Sequence, residues 1–191
     1  ARSPKSEIYL QILDDLSLAI DLLSSEYRAG ERIHVNKFVA TSLLSRVYLY
    51  LEDWDKAEEL STNVINANST YQILEDINDV FLANSKEAIW QISPIGGGGI
   101  VTHTNEGGLF IIDPFLSFFA SLKLNEEFVN IFQADDQRLL SWIDYNSSKD
   151  AYFPTKYKIG NSNKFPIEEY SMVLRLAEQY LIRAEARAKQ D

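Results

Sequence analysis

Apolar residues recur at intervals of three and four over the first third of the chain, which is the period of an amphipathic helix. The pattern predicts helices over residues 6–23, 34–51 and 54–67. A polar turn at residues 52–55 separates the second helix from the third, and Asn36 is placed to cap the second. The apolar stripe of the second helix repeats every four residues at Val35, Val39, Leu43, Val47 and Leu51.

The pattern becomes irregular after residue 68. Residues 87–93 suit a short strand, and residues 96–108 predict a loop because they hold six of the eight glycines. Short helices are predicted over 114–121 and 125–133, and a strand over 155–159. The sequence therefore predicts a mainly α fold whose middle part is an irregular insert with a few short strands.

The second and third helices carry the spacing of a tetratricopeptide (TPR) repeat. Leu44-Ser45 is followed by Tyr48, then by Trp54 at the turn, and by Ala57 nine residues after the tyrosine. In this design, large residues on the first helix interlock with a small residue on the second. We expect Ala57 to let the two antiparallel helices approach closely, while Trp54 fills the space at the turn.

A final helix is predicted over residues 168–189, and it repeats the first half of that motif. Leu176-Ala177, followed two residues later by Tyr180, has the same apolar, small and tyrosine positions. A partner helix would come after residue 191, so we expect the apolar stripe of the final helix to lack a neighbour in this chain. The stripe consists of Val173, Leu176, Ala177, Tyr180, Leu181 and Ala184.

These elements predict three segments. Residues 1–67 form TPR-like helices, and residues 68–167 form an irregular insert with candidate ligand loops. Residues 168–191 form a C-terminal TPR-like helix that is truncated before its partner. An insert of about 100 residues is not part of a simple solenoid, so we expect it to carry specificity.

Four segments resemble the SusD/RagB family of outer-membrane nutrient-binding lipoproteins. Residues 169–186 resemble the C-terminal signature of that family, and residues 36–50 resemble its helix before an Asp-Trp turn. Residues 87–92 are similar to its short strand, and Asp136-Gln137-Arg138-Leu139 resembles its Asp-x-Arg segment. The order and spacing of the four segments fit the family over most of residues 6–190.

The resemblance implies a SusD-like superhelical scaffold with a non-catalytic function. Members of the family capture oligosaccharides at the cell surface for a partner, the SusC-like TonB-dependent transporter of the outer membrane. They are usually anchored by a lipid on an N-terminal cysteine, and this chain has no cysteine. The resemblance therefore implies a fragment of a lipoprotein at the cell-surface face of the outer membrane, whose lipid anchor is absent from this chain.

Charge and composition narrow the choice of partners. The formal net charge is −10, so the chain repels phosphate backbones and no nucleic-acid partner is expected. The absence of cysteine excludes thiolate metal sites and cysteine nucleophiles. No apolar run approaches the roughly 18 residues that a transmembrane helix needs.

The sequence contains no recognisable constellation for catalysis. The glycine run at 96–99 lacks the Gly-Lys-Ser/Thr of a phosphate-binding loop. His34 and His103 are the two histidines, and His34 is expected in a solvated turn. The 28 acidic residues lie mostly on predicted helix surfaces, and no opposed carboxylate pair is evident. We predict no catalytic residue, no metal and no cofactor.

Aromatic residues make up 12% of the chain, and those of the insert are candidates for sugar recognition. A pyranose ring offers C–H faces that stack on aromatic rings and hydroxyls that form hydrogen bonds. Trp142, Tyr145 and Tyr152 lie in or beside a polar loop region, and His103 lies in the glycine-rich loop. We predict these four as ligand-binding residues. The alternative for each aromatic ring is that it packs beneath the loop.

Two other functions compete with glycan capture. A TPR-type adaptor would bind a peptide and no glycan, and a continuous array of repeats would favour it over the long insert. A hydrolase within the insert would turn over a glycan. The sequence specifies neither the glycan nor whether the ligand is a sugar.

Overall fold

The structure, a computed structural model, describes residues 2–94, 101–112 and 122–190. Its helices are α1 (Lys5–Leu22), α2 (Lys37–Tyr50), α3 (Trp54–Ile65), α4 (Asn105–Phe110), α5 (Glu126–Val129), α6 (Gln137–Trp142) and α7 (Leu176–Gln190). Its strands are β1 (Ala88–Ile92), β2 (Ile143–Asn146), β3 (Ala151–Pro154) and β4 (Ser171–Arg175). The predicted mainly α fold with a few short strands is confirmed.

The chain folds into two compact units. The first consists of Ala1–Ile73, Lys86–Gln91 and Val173–Asp191. The second consists of Leu74–Ser85 and Ile92–Met172. Each unit has hydrophobic clusters of its own.

Helix α2 contacts three other helices of the first unit, namely α1, α3 and α7. Asn36 caps it as predicted, because its Oδ1 accepts the Val39 N–H at 3.0 Å. These neighbours bury more than one stripe of the helix: Val39, Ala40, Thr41, Ser42, Leu44, Ser45 and Val47. The four-residue pattern was partly wrong, since three positions that it placed inside are 36–50% exposed: Val35, Leu43 and Leu51.

Helix α3 packs against both α2 and α7. It begins at Trp54 because Asp53 Oδ1 accepts the Lys56 N–H at 3.2 Å. Ala57 has no exposed surface and packs in one cluster with Ile182 and Ala186 of α7. Small residues at a helix crossing let the helix axes approach closely. In this TPR-like stack, α7 takes the place of the first helix of a following repeat.

Helix α7 also makes polar contacts with α2. The Ser45 Oγ donates to Gln179 Oε1 at 2.8 Å, and both side chains are fully buried. Arg46 holds the carboxylate of Glu178 through two hydrogen bonds, Nε–Oε1 at 2.6 Å and Nη2–Oε2 at 2.7 Å. Such paired bonds fix orientation as well as distance, so they define how α7 sits along α2.

The start of the final helix differs from the prediction. The helix begins at Leu176, because Ser171–Arg175 forms β4 and pairs with β1. Val173 and Leu174 fit both a helical stripe and a strand over so short a run, and pairing with a distant segment decides between them. The strand predicted over residues 87–93 is confirmed as β1.

The second unit is built around aromatic residues. The Phe81 ring centroid lies 4.9 Å from that of Tyr157 and 5.6 Å from that of Trp142. The buried carboxylate of Glu169 accepts the N–H groups of Lys158 at 2.6 Å and of Ile159 at 3.1 Å. Burial raises the pKa of Glu169, and these two bonds offset part of the rise.

Strands β2 and β3 form an antiparallel hairpin, with Ile143 opposite Pro154 and Asn146 opposite Ala151. The sequence predicted a strand at 155–159 instead, and those residues have no strand structure. The hairpin turns through residues 147–150, where Asp150 adopts a φ of 48°. Aspartate tolerates this left-handed backbone better than most residues.

Three short helices also differ from the prediction. The helix predicted over 125–133 is only the single turn α5. Helix α6 was not predicted; Asp136 caps it, with Oδ1 accepting the Arg138 N–H at 2.8 Å. Helix α4 begins within the predicted loop, where Thr104 caps it through the Gly107 N–H. The predicted helix over 114–121 and the glycine run at 96–99 lie outside the described residues.

Candidate functional site

Trp142 is anchored in the core of the second unit. Its Nε1–H donates to the Ile77 carbonyl at 3.1 Å, and its ring meets Phe81 edge to face. The ammonium of Lys156 lies 5.4 Å from the ring centroid, within cation–π range. Packing, a hydrogen bond and a cation therefore hold the indole in one orientation.

A groove with a volume of about 440 Å³ passes along Trp142, and we call it the aromatic groove. The rings of Phe128 and Phe132 meet edge to face there, with centroids 5.3 Å apart. Phe128 is 45% exposed and Ile131 is 71% exposed, and clustered apolar surface in water is typical of binding sites. The groove is lined by Leu124, Phe128, Ile131, Phe132, Arg138, Trp142, Ile143, Pro154 and Lys156.

Arg138 is paired with the carboxylate of Asp136, which does not line the groove. Its Nε lies 3.0 Å from Oδ1 and its Nη2 lies 2.6 Å from Oδ2. This pairing lowers the pKa of Asp136, chiefly through the side-chain hydrogen bond. The guanidinium also lies 5.1 Å from the Phe132 ring centroid. The carboxylate and the ring together orient the guanidinium at the groove wall.

A second cleft, also of about 440 Å³, lies at the β2–β3 hairpin, and we call it the tyrosine cleft. Tyr145 and Tyr152 are cross-strand partners, and their ring centroids are 4.9 Å apart. Tyr145 is 45% exposed. The cleft is lined by Lys123, Leu124, Asn125, Glu126, Asp150, Ala151 and Tyr152. Leu124 lines both the cleft and the aromatic groove, so the two adjoin.

Polar groups surround the tyrosine pair. The Tyr145 hydroxyl donates to Asp150 Oδ1 at 2.5 Å, and this bond raises the pKa of Tyr145. Asn125 Oδ1 accepts the Glu127 N–H at 2.9 Å, which leaves its amide N–H groups available to a ligand. The Leu124 N–H donates to the Tyr152 carbonyl at 2.8 Å and holds this segment against the hairpin.

His103 lies at a different place in the second unit. Its Nδ1 lies within hydrogen-bond distance of the Ser162 N–H, at 2.9 Å, and of the Ser162 carbonyl oxygen, at 3.1 Å. It lines neither the aromatic groove nor the tyrosine cleft. The structure therefore brings together Trp142, Tyr145 and Tyr152 of the four predicted ligand residues, and places His103 apart from them.

The residues of the two TPR-like motifs differ in burial. Tyr180 is 40% exposed and Leu181 is 70% exposed, because α7 packs on α3 through another face. That buried face consists of Leu176, Gln179, Ile182 and Ala186. The other motif residues are buried or half-buried: Leu44, Tyr48, Trp54, Ala57 and Ala177.

The described residues offer neither a metal cluster nor a membrane-spanning helix. In the part of the chain that the structure describes, no group of three or more His, Asp or Glu side chains is placed to hold a metal ion. Within residues 2–94, 101–112 and 122–190, no helix combines the length and apolar character needed to cross a bilayer.

Comparison with known proteins identifies this architecture. Residues 1–49 match a SusD-like family described as "Starch-binding associating with outer membrane". A SusD superfamily protein from Bacteroides thetaiotaomicron matches with 25% identity and a TM-score of 0.76, over 99% of this chain and 44% of its own. Another, from Bacteroides vulgatus, matches with 24% identity and a TM-score of 0.79, over 100% of this chain and 44% of its own.

Surface glycan-binding protein A from Bacteroides uniformis has the same fold, with a TM-score of 0.77 at 15% identity. The match covers 100% of this chain and 47% of that protein. No curated protein sequence matches the chain. Proteins of this class have a TPR-like helical stack and a second unit that is rich in aromatic residues. The chain shares the fold of these SusD superfamily proteins, its first 49 residues match the SusD-like family model, and it spans less than half the length of these relatives.

Several residues of the site escaped prediction. Phe128 and Phe132 stand four apart, but they were assigned only to a short helix. The Asp136-x-Arg138 spacing was noted as a family resemblance, and its meaning as a helix cap and ion pair was missed. The phenylalanine pair and the capping aspartate each had a local signal. The two aromatic residues stand at helical spacing, and an aspartate that can cap a helix follows them. Lys156 carried no signal, because its place beside Trp142 depends on a long-range contact.

Proposed function

We propose that the chain belongs to a cell-surface protein that captures an oligosaccharide without chemical turnover and delivers it to a TonB-dependent outer-membrane transporter. The SusD-like relationship and the outer-membrane association in the family description support this proposal. The likeness to a surface glycan-binding protein supports the choice of a glycan as ligand.

The tyrosine cleft is the proposed glycan site, and the pairing of Tyr145 with Tyr152 is the observation that carries the proposal. The exposed ring of Tyr145 and the half-buried ring of Tyr152 lie side by side and offer a platform for the C–H faces of a sugar. Asp150 and the Asn125 amide stand beside the rings, where they can accept and donate hydrogen bonds to hydroxyls. Sugars exchange water for such bonds at small net gain, so modest affinity is expected.

The other predicted ligand residues have different parts in this proposal. Trp142 forms a wall of the adjoining aromatic groove, which gives a longer glycan a second contact area. His103 stays a prediction, supported only by its place on a half-exposed loop near Ser162. Neither residue is required for a sugar to stack on Tyr152.

The domain division and the partners belong to the same proposal. We infer that residues 1–67 and 168–191 serve as the helical scaffold, and that residues 68–167 carry ligand specificity. Tyr145, Tyr152 and the groove residues all fall in the latter segment. The proposal also includes a lipid anchor on the full-length protein and contact with a SusC-like transporter, and the outer-membrane association in the family description supports both.

Calorimetric titration with a panel of oligosaccharides tests the glycan site. We expect at least one glycan to bind, and Tyr152→Ala to weaken it by roughly tenfold, the equivalent of about 1.4 kcal/mol. Tyr145→Ala should have the same direction of effect. Tyr50→Ala is the matched control, since Tyr50 is 69% exposed and lies in the first unit. Equal affinity of Tyr152→Ala and Tyr50→Ala would remove this cleft as the site.

Product analysis tests the absence of turnover. Prolonged incubation of the bound glycan with the protein should leave its chain length unchanged, as measured by chromatography of the recovered sugar. Shortened products would favour a hydrolase. Binding of peptides with no binding of any glycan would favour the adaptor alternative.

A further inference from the structure

The aromatic groove carries positive charge on a protein that is otherwise acidic, and this indicates its ligand class. We infer, on the basis of the proposed glycan-binding function, that the bound glycan carries carboxylate or sulfate groups that face Arg138 and Lys156. Among the nine residues that line the groove, these two are the charged ones. No carboxylate lines it within the part of the chain described.

The guanidinium of Arg138 is accessible and held in place. The Arg138 side chain is 61% exposed, whereas that of its partner Asp136 is 18% exposed. The partner takes Nε and one hydrogen of Nη2, so the Nη1 edge stays available for an anion. Because the guanidinium is already oriented, an incoming carboxylate meets a donor that has little conformational freedom left to lose.

Lys156 supplies a second cation to the lining of the groove. It is exposed, and its ammonium lies over the Trp142 ring at 5.4 Å. A long, flexible side chain of this kind can move from the ring face to an anionic group of a ligand.

The two cations of the groove contrast with the net charge of the whole chain, which is −10. With 28 acidic against 18 basic residues, the average surface repels an anionic glycan. A neutral glycan can accept hydrogen bonds from these cations but gains no charge–charge attraction from them. An acidic pyranose, in contrast, combines an apolar ring face for Phe128 with a carboxylate for Arg138. Phe128 is 45% exposed and suitably accessible.

Paired oligosaccharides test the inference. Oligomers of galacturonate and of glucuronate are each titrated beside their methyl esters, which keep the ring and remove the charge. Neutral glucans and galactans complete the panel. We expect an acidic oligomer to bind more tightly than its ester by about fivefold or more, and this advantage to shrink as salt is raised.

Three variants extend the test, because they are expected to change the preference for the acid over its ester in opposite directions. Arg138→Gln and Lys156→Gln should each remove much of the advantage of the acid over its ester. Asp136→Asn should increase it, since the competing carboxylate is lost while asparagine still caps α6. Lys164→Gln, which removes an exposed charge elsewhere in the second unit, is the matched control and should change neither affinity.

The outcomes separate this inference from the proposed function. If neutral glycans bind and the acids bind no better than their esters, the acidic ligand class is wrong and the glycan site stands. If no member of the panel binds, the proposed function itself fails. An acid preference that Arg138→Gln and Asp136→Asn leave unchanged would place the anion elsewhere and overturn the assignment to the groove.

Discussion

The guanidinium of Arg46 on α2 holds the carboxylate of Glu178 on α7 through two hydrogen bonds of 2.6 and 2.7 Å, although 132 residues separate the two along the chain. The bonds join two helices of the first unit that are far apart in the sequence. Because the side chains are 29% and 31% exposed, water screens part of the attraction. The value of the pair lies in fixing the register of α7.

A double-mutant cycle measures how strongly this pair couples the helices. Arg46→Gln, Glu178→Gln and the double variant are compared by urea unfolding. We expect a coupling free energy of about 0.5–1 kcal/mol, the upper part of the range for exposed pairs, because the geometry is bidentate. Raised salt should reduce the coupling. A coupling of zero at low salt would mean that the pair does not bind α7 to α2.

The crossing of α3 and α7 should tolerate no larger side chain at Ala57. Ala57→Leu places three more carbon atoms where no surface is exposed, against Ile182 and Ala186. We expect a loss of about 1–3 kcal/mol in the free energy of unfolding, measured with urea. Ala184→Leu on the exposed part of α7 is the control and should cost little. Equal effects would contradict the close helix crossing.

Two neighbouring glycines of α4 should differ in their response to alanine. A Cβ at Gly107 would lie 2.2 Å from the backbone oxygen of Ile159, which has little room to move. A Cβ at Gly108 would lie 3.1 Å from the His103 ring, a side chain that can shift. Hydrogen exchange should show Gly107→Ala opening residues around Ile159, with a smaller effect from Gly108→Ala. The reverse order would contradict the docking of α4.

Glu169 should give the protein a pH dependence opposite to that of an ion-paired carboxylate. Burial raises its folded pKa above the unfolded value, so its contribution is fully present below the unfolded pKa, about 4.3 for glutamate. The contribution is lost as pH rises through the folded pKa. The unfolding free energy of the wild type minus that of Glu169→Gln should therefore fall as the pH rises from the unfolded pKa through the folded pKa. A rise, or the same slope in the exposed control Glu185→Gln, would contradict the desolvated carboxylate.

The TPR-like helices were predictable because their signals are local. The spacing from Tyr48 to Ala57, the cap at Asn36 and the polar turn before α3 lie within one stretch of sequence. The beginning of α7 was not predictable in this way. Val173 and Leu174 continue an apolar stripe into α7, and only the pairing of β4 with β1 turns them into strand.

The candidate site was predictable in part. Aromatic residues in a polar loop pointed to Tyr145 and Tyr152, and the structure places their rings together. The pairing itself depends on the hairpin that turns at residues 147–150. In this part of the chain the sequence predicted a strand only at 155–159, after this hairpin. The cations at the groove belong to segments that meet only in the folded chain, so no short pattern identified them.

Glycan binding at the tyrosine cleft is the central claim, and NMR titration of the labelled chain with a bound oligosaccharide tests it most directly. We predict that the largest shift changes fall on Tyr145, Tyr152 and the neighbouring residues Asn125 and Asp150, and that they saturate with the calorimetric affinity. Changes confined to the first unit, or no saturable change with any glycan of the panel, would contradict the account.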